Sequence, residues 1–270
     1  MRKSSAAFVI TALLLALAPA AQAKDAKGAG DIALDIVKVL PCPPQSAVAA
    51  GAGLACAQAP ELQKRDYQGV FDAQKNASAD ERTLAIADGA RPSVAQFGRP
   101  LWQAIAGGSC KIAPGVLTAK SDDELAKIWP ASTALFRAMT KASIRVTNEA
   151  KNTYNRERPY QAKVDGLPQI TPLLPVDNLK HSPSYPSGHT AFAYETAMVL
   201  AAMLPEEQDA IYARAAQYGH NRMIVGVHFP SDVEQGKVSG LLISAAYMQK
   251  DEFRALLEAA RPEIRKALCR

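Results

Sequence analysis

The side chains best suited to chemistry lie in three short runs, and the last of these places His228 four residues before Asp232. A carboxylate at that spacing can accept a hydrogen bond from one imidazole nitrogen, which fixes the tautomer and leaves the other nitrogen as a nucleophile. Arg222 lies six residues before His228, near the end of a predicted helix. The alternative is a surface histidine followed by a carboxylate that caps the next helix.

The second run is Ser187-Gly188-His189, which opens an apolar segment predicted to be helical. Ser187 is a good N-cap, and the free N–H groups of a first helical turn form a site for anions. Gly188 has no side chain, so an oxyanion could approach its backbone closely. His189 would then lie beside the bound anion. The alternative is an ordinary capped helix start.

The first run contains two cations, Lys151 and Arg158, which are seven residues apart. Seven residues are close to two helical turns, so the spacing predicts that both side chains emerge on one face of a helix. Arg158 precedes Pro159, which disfavours the helical conformation and predicts the helix end there. Guanidinium and ammonium groups both bind phosphate oxygens. The alternative is a solvated basic face.

Together these runs supply three cations, a helix N-terminus and a pair of histidines, two of the four in the chain. Phosphoryl transfer through a covalent intermediate needs this set, because negative charge is spread over the transferring group and its stabilisation dominates catalysis. The combination therefore favours phosphate-ester chemistry more than any of the three runs does alone.

Helices are expected to position these residues, because apolar residues recur at helical spacing and no segment reads as a strand. The longest predicted helix covers residues 131–157, where Leu135, Met139, Ala142 and Val146 share a face. A proline-rich loop is predicted over 159–186. The fold class is therefore all-α, a bundle of roughly eight or more helices. The remaining predicted helices are 32–40, 80–87, 94–106, 187–204, 206–226, 232–250 and 252–268, with a further start at Ser121.

The first 23 residues have the layout of a secretory signal peptide, with Arg2 and Lys3, an apolar run, and small residues before the cleavage site after Ala23. A membrane anchor is the alternative, but the run is shorter than the about 20 residues that a spanning helix needs. No other segment qualifies as a span. We therefore expect residues 24–270 to form a single periplasmic domain without membrane insertion.

The formal charge of the whole chain is +5, two units of which lie in the predicted signal peptide. The remaining excess is mild and forms no concentrated basic stripe, which argues against nucleic acid as a partner.

Four cysteines follow the predicted cleavage site: Cys42, Cys56, Cys110 and Cys269. An even number in an exported chain indicates disulfides, and four cysteines allow three pairings. We favour Cys42–Cys56 with Cys110–Cys269, because the first pair closes a short Ala/Gly-rich loop. The lack of a CxxC pair argues against a zinc site.

The three runs read K-x6-R-P, P-S-G-H and R-x5-H-x3-D, a combination that resembles the type 2 phosphatidic acid phosphatase (PAP2) superfamily, whose fold is shared with vanadium haloperoxidases. Within it, the run SYPSGHT at residues 184–190 is similar to the class A bacterial non-specific acid phosphatases, which are exported and soluble. The wider similarity covers about residues 130–260. The resemblance implies an acid phosphatase that acts on small phosphorylated substrates, needs no metal or other cofactor, has an acidic pH optimum, and is often a homodimer.

Roles carry over by position in the motifs. The resemblance implies that His228 is the nucleophile, that Asp232 orients it, and that His189 protonates the leaving oxygen. The phosphate-binding residues that it implies are Lys151, Arg158, Ser187, Gly188 and Arg222.

Two positions depart from the pattern of that superfamily. Asn221 precedes Arg222 where a serine is usual, and since asparagine can also form hydrogen bonds we expect phosphate binding to be kept. Pro183 stands where close relatives often have glycine, and a stiffer loop would affect the range of substrates rather than the chemistry.

Three other functions fit some of these features. A vanadium-dependent haloperoxidase would use the same residues to hold vanadate, and a soluble lipid or diphosphate phosphatase would differ only in its substrate. A non-catalytic anion-binding protein would have no need of the pair His228 and Asp232. The short chain and the predicted signal peptide favour the phosphatase.

Overall fold

The structure is a computed structural model that describes residues 36–44, 59–105, 112 and 115–270. This part of the chain is all-α and contains no strand, as the sequence predicted. Residues 36–39 are also helical, and two short 3-10 turns lie at Asp177–Leu179 and Pro205–Glu207. The α-helices from residue 60 onward are α1 Pro60–Asn76, α2 Ala79–Ala87, α3 Val94–Ile105, α4 Asp122–Leu125, α5 Pro130–Tyr154, α6 Gly188–Met203, α7 Gln208–Ile224, α8 Pro230–Met248 and α9 Asp251–Ala267.

Helix α6 lies at the centre of the bundle and packs against α5, α7 and α8. It is apolar on nearly all sides, which is typical of a helix that is surrounded by others. The backbones of α6 and α8 approach closely, because a Cβ on Gly236 would lie 2.6 Å from the carbonyl oxygen of Ser187, and one on Gly240 only 2.3 Å from that of Ala191. This contact fixes the start of α6, with His189, against the start of α8, with Asp232.

Helix α5 begins at Pro130, whose missing N–H costs nothing in the first turn. It ends at Tyr154, because Asn155 adopts the left-handed conformation with a φ of 42° and its N–H donates to the carbonyl of Lys151. The prediction that the helix reaches residue 157 is therefore wrong. Arg158 lies in the loop beyond the helix and does not share a helical face with Lys151.

The main core joins α3, α5, α6, α7 and α9. Trp102 and Trp129 meet edge to face at 5.5 Å between ring centroids, and Phe97 packs in the same manner on Tyr218 at 5.6 Å. Edge-to-face pairs of buried aromatic rings add to the stabilisation that burial of their surface provides. This core supports the ends of α6 and α7 that carry site residues.

The loop of residues 159–186 is irregular over most of its length, as predicted, and is held to the helices by hydrogen bonds. The hydroxyl of Tyr67 in α1 donates to the carbonyl of Pro168 at 3.1 Å and accepts from the N–H of Ile170 at 2.9 Å. The N–H of Leu173 donates to the carbonyl of Val225 at 3.1 Å. The end of this loop is held separately, because the N–H of Ser184 donates to the carbonyl of Arg156 at 2.7 Å.

No helix in the described ranges is long and apolar enough to span a membrane. The predicted signal peptide, residues 1–23, lies outside those ranges. Neither Cys42 nor Cys269 is a free thiol, while Cys56 and Cys110 lie outside the described residues. The disulfide pairing stays a prediction.

Candidate active site

The pair His228 and Asp232 is buried where the turn after α7 enters α8, and the side chain of Asp232 is fully inaccessible to solvent. Nδ1 of His228 lies 3.5 Å from Oδ2 of Asp232, at the outer limit of a hydrogen bond. Nη1 of Arg158 lies 3.3 Å from Nε2 of His228. Because a guanidinium only donates, Nε2 is the unprotonated nitrogen in this contact, and the proton is on Nδ1, facing the carboxylate.

Besides the contact with His228, three hydrogen bonds hold the carboxylate of Asp232. Its Oδ2 accepts from the N–H of Phe229 at 2.8 Å and from the hydroxyl of Ser184, and its Oδ1 accepts from Nη1 of Arg156 at 2.7 Å. Burial alone would raise the pKa of Asp232, but the charge of Arg156 and the hydrogen bonds from His228 and Ser184 lower it below its ordinary value. Asp232 is therefore ionised and able to stabilise an imidazolium at His228.

Arg156 is a site residue that no sequence motif indicated. Its guanidinium bridges two buried carboxylates, Asp232 and Asp66, each at 2.7 Å, and it also donates to Gln63 at 2.6 Å. Its Cζ lies 4.0 Å from the ring centroid of Phe229. Asp66 is 90 residues away in the chain, so no local pattern could have indicated this pair.

Lys151 and Arg158 reach the site from different elements and donate to carbonyl oxygens of the loop end. Nζ of Lys151 donates to Pro183 at 2.5 Å and to Ser184 at 3.2 Å. Arg158 donates to the carbonyls of Ser182 at 2.7 Å and Val227 at 2.9 Å. Burial lowers the pKa of Lys151 well below its ordinary value, and the charge of Arg158 lowers it further. A bound dianion would reverse this shift, because opposite charge favours the ammonium form.

Ser187 is the N-cap of α6, as predicted, and its hydroxyl accepts from the N–H of Thr190 at 3.3 Å. The hydroxyl of Thr190 donates to the same oxygen at 2.9 Å. A Cβ placed on Gly188 would meet only Thr147, at 3.7 Å. The first turn of α6 therefore presents its N–H groups beside open space, which suits an anion.

His189 lies in that first turn, and its Nε2 is 2.8 Å from the carbonyl oxygen of Ala90. Because a carbonyl only accepts, Nε2 carries a proton in this contact. Burial lowers the pKa of His189 well below its ordinary value, and the charge of Arg222 lowers it further. His189 also stacks on Tyr218, with 6.0 Å between ring centroids. The loop between α2 and α3 thus orients this histidine.

Arg222 is buried near the end of α7, and burial lowers its pKa to about 10. Its Nη1 contacts the carbonyl of Asp88 at 3.4 Å, while its Nε is buried and has no acceptor among the residues that the structure describes. Asn221 forms a hydrogen bond, as expected, but its partner is the carboxylate of Asp88 at 2.8 Å. Arg214 binds the same carboxylate through two nitrogens, at 2.8 and 2.7 Å.

The predicted residues therefore come together at one place, although they lie on several elements. The charges of Arg158 and Lys151 both act on His228, and those of Arg222 and Arg158 act on His189. Three cations, two histidines and a helix N-terminus thus surround one region, which can neutralise a dianion and stabilise charge that develops in a transition state.

A cavity of about 180 Å³ opens beside this region. Its lining includes Lys151, Gly188 and His189, together with Thr147 and Phe192. We call it the inner pocket. A group attached to an anion at the start of α6 would extend into it. Among the described residues, no three His, Cys, Asp or Glu side chains are grouped so as to hold a metal ion.

Residues 131–255 match the family model of the PAP2 superfamily. The chain is 36% identical over 118 residues to an acid phosphatase of Zymomonas mobilis, covering 44% of each protein. It is 35% identical over 120 residues to a non-specific acid phosphatase of Providencia stuartii, covering 44% of this chain and 47% of that protein. A non-specific acid phosphatase of Salmonella typhimurium is 32% identical over 146 residues, covering 52% of this chain and 56% of that protein.

These matches span about half the length of each relative. The structure also aligns with a transmembrane PAP2-type phosphatidylglycerolphosphate phosphatase of Bacillus subtilis, with a TM-score of 0.46 and 18% identity over 83% of this chain and 94% of that chain. The resemblance to acid phosphatases that the motifs predicted is confirmed by the sequence matches. Residues 131–255, which carry all three motifs, are the part of the chain that is similar to the PAP2 superfamily.

Proposed function

We propose that this protein hydrolyses phosphomonoesters through a phosphohistidine on His228, with His189 as general acid and without a metal ion. The observation that carries the proposal is the protonation and orientation of the His228 imidazole. Its Nε2 is unprotonated beside Arg158, and its Nδ1 faces the ionised Asp232. A nucleophile, its orienting carboxylate and a set of phosphate-binding cations thus occupy one buried region.

In the first step, the lone pair on Nε2 of His228 attacks phosphorus and forms the P–N bond, while the bond from phosphorus to the ester oxygen breaks. The imidazolium character that develops on His228 is stabilised by Asp232 through Nδ1–H. When His189 is an imidazolium, it carries a second proton at Nδ1, and this proton passes to the leaving oxygen. Lys151, Arg158 and Arg222 neutralise the charge on the equatorial oxygens, with Ser187 and Gly188 at the start of α6.

In the second step, a water molecule attacks phosphorus and the P–N bond breaks, which restores neutral His228. His189, now neutral, accepts the proton that this water loses. The three cations remain in place throughout and supply the charge neutralisation that metal ions supply in other phosphoryl-transfer enzymes. Charge neutralisation by these side chains supports a metal-independent reaction.

The surroundings of the two histidines support an acidic optimum. The nucleophile must be neutral and the acid protonated, and burial lowers the pKa of both His228 and His189 well below 6.5. Activity should therefore fall on the acid side as His228 is protonated and on the basic side as His189 loses its proton. The maximum of kcat/KM is expected on the acid side of pH 6.5.

We further propose that residues 24–270 form one exported domain that acts in the periplasm after removal of residues 1–23, and that it assembles as a homodimer. The apolar run with its cleavage site supports export. Accessibility of the enzyme in intact cells and the mass of the purified protein in solution test these two proposals.

The main alternative is a vanadium-dependent haloperoxidase, because the same cations could hold vanadate. Incubation with vanadate, bromide and peroxide distinguishes the two functions. Halide oxidation without phosphate release would favour the haloperoxidase.

The first experiment is release of p-nitrophenol from p-nitrophenyl phosphate between pH 4 and 8, with and without EDTA. We expect release that resists EDTA, is lost in His228→Ala, and is little changed in His220→Ala, a control histidine outside the site. Inhibition by EDTA would overturn the metal-free reaction, and full activity of His228→Ala would overturn the covalent mechanism.

A further inference from the structure

The inner pocket opens into a larger depression, which we call the outer groove and which encloses about 880 Å³ between the loop before α3, the start of α4 and the surface of α5. The two cavities share Arg91, Pro92, Thr140 and Ile144. The inner pocket alone has room for about six water molecules, which is the volume of a sugar-sized leaving group. A substrate whose leaving group fits within the inner pocket would not reach the outer groove.

The outer groove is strongly cationic. Its lining contains two carboxylates, Asp122 and Asp123, against five cationic side chains: Arg91, Arg99, Lys120, Arg137 and Lys141. The mild overall charge of the chain gives no reason for such an excess at one place. A concave surface of one sign raises the local concentration of ligands of the opposite sign.

Internal contacts account for part of this charge. Asp123 pairs with Arg137, and Arg99 donates to the carbonyl of Ala119 at 2.8 Å. Asp122 accepts the N–H of Ala95 at 3.1 Å, and burial raises its pKa, which weakens its ability to neutralise nearby cations.

Three cations remain: Arg91, Lys120 and Lys141. Each is exposed, and none forms a side-chain hydrogen bond or ion pair within the part of the chain that the structure describes. Arg91 lies at the junction, because it lines both cavities. It follows Ala90, whose carbonyl holds His189, so this cation stands next to the segment that orients the proposed general acid.

We propose that the outer groove binds a second phosphate on the leaving group, so that the favoured substrates are bisphosphorylated small molecules. The inference rests on the proposed phosphatase activity. One phosphate occupies the start of α6 beside His228, the body of the leaving group fills the inner pocket, and the second phosphate meets Arg91 first and then the lysines beyond it. Guanidinium and ammonium groups together match the planar and point-charge modes of phosphate binding.

The test compares fructose 6-phosphate with fructose 1,6-bisphosphate by initial release of inorganic phosphate at low and high salt. Two equivalent phosphates would by themselves favour the bisphosphate about twofold. We expect a preference in kcat/KM of about tenfold, carried mostly by KM, and a marked decrease of that preference at high ionic strength, because salt screens exposed charges.

The diagnostic variant is the double substitution Lys120→Gln with Lys141→Gln, and the matched control is Arg145→Gln, an exposed cation on α5 outside both cavities. The double variant should lose about fivefold of the preference, and Arg91→Gln should lower it as well, whereas the control should keep it. Equal kcat/KM for the two esters in the wild type, or an unchanged preference in the double variant, would overturn the groove proposal. Hydrolysis of neither ester by an enzyme that cleaves p-nitrophenyl phosphate would also overturn the groove proposal, whereas cleavage of none of the three esters would overturn the phosphatase on which it rests.

Discussion

Arg156 offers a sharp test of how the fold holds the nucleophile. Its side chain is 1% exposed and lies between Asp66 and Asp232, which are 10% and 0% exposed. The substitution Arg156→Ala would leave two buried carboxylates facing an empty space without a counter-ion. It would also remove donors to Ser231 and Gln63.

Breaking a buried ion pair by removing one partner costs about 3–5 kcal/mol, because the remaining charge stays desolvated. For a domain of this size, each kcal/mol lowers Tm by about 2–4 °C, so the loss should be on the order of 10 °C. Arg156→Lys keeps the charge but cannot bridge both carboxylates with a planar fork. We therefore expect its Tm to lie between those of the wild type and Arg156→Ala.

The decrease of Tm caused by Arg156→Ala should depend on pH. The pKa of Asp232 is depressed in the folded state, so its contribution to stability is present above its unfolded pKa and is lost as pH falls through the folded one. Arg156→Ala raises that folded pKa. The difference in Tm from the wild type should therefore be largest near pH 7. It should shrink as pH falls through the raised folded pKa of Asp232 in the variant, because a protonated Asp232 no longer needs a counter-ion.

The assay is thermal unfolding followed by circular dichroism from pH 3 to 7, together with kcat/KM for p-nitrophenyl phosphate. Arg254→Ala is the control, because Arg254 is 55% exposed and its partner Asp251 is 93% exposed, and such surface pairs contribute about 0–1 kcal/mol. If Arg156→Ala melted within about 2 °C of the wild type at pH 7 and kept full activity, the role of Arg156 in holding Asp232 would be refuted.

Three further predictions follow from particular contacts. The pH profile of kcat/KM should be bell-shaped with its maximum below pH 6.5, because burial lowers the pKa of both His228 and His189; a maximum above pH 7.5 would contradict this. Burial raises the pKa of Glu195 well above its ordinary value, so wild-type stability should fall by about 1.4 kcal/mol per pH unit above the unfolded pKa until the folded pKa is reached. Glu195→Gln should then be more stable than the wild type at pH 7 but similar at pH 4, as unfolding in urea would show, and equal stability of the two proteins at pH 7 would refute the burial argument. Gly240→Ala places a Cβ 2.3 Å from the carbonyl of Ala191 and should cost about 1–3 kcal/mol; an unchanged Tm would show that α6 and α8 can separate freely.

The sequence predicted the parts of the site that depend on local spacing. Ser187 as N-cap follows from its position before an apolar helix, and the contact between His228 and Asp232 follows from a turn that Pro230 begins. Both features can be predicted from residues that are close together in the sequence. The all-α class followed from helical periodicity in the same way.

Contacts between distant segments could not be predicted from one sequence. Asp66 and Arg156 meet only because α1 packs beside the start of α8, and the carbonyl of Ala90 reaches His189 across 99 positions. The predicted helical face shared by Lys151 and Arg158 was wrong for a local reason, since Asn155 tolerates the left-handed conformation that ends α5. Both cations reach the site nevertheless, because the loop end supplies carbonyl acceptors for each.

The central claim is the covalent intermediate on His228, and trapping it is the most direct test. In His189→Ala, p-nitrophenolate can leave without protonation, whereas water attack lacks its base, so the phosphoenzyme should accumulate. After a quench in alkali, in which phosphohistidine survives, mass spectrometry of the peptides should find one phosphate on His228, and none in His189→Ala combined with His228→Ala. Continued release of p-nitrophenol by His189→Ala through many turnovers with His228 unmodified would contradict the account, because water would then attack the substrate directly.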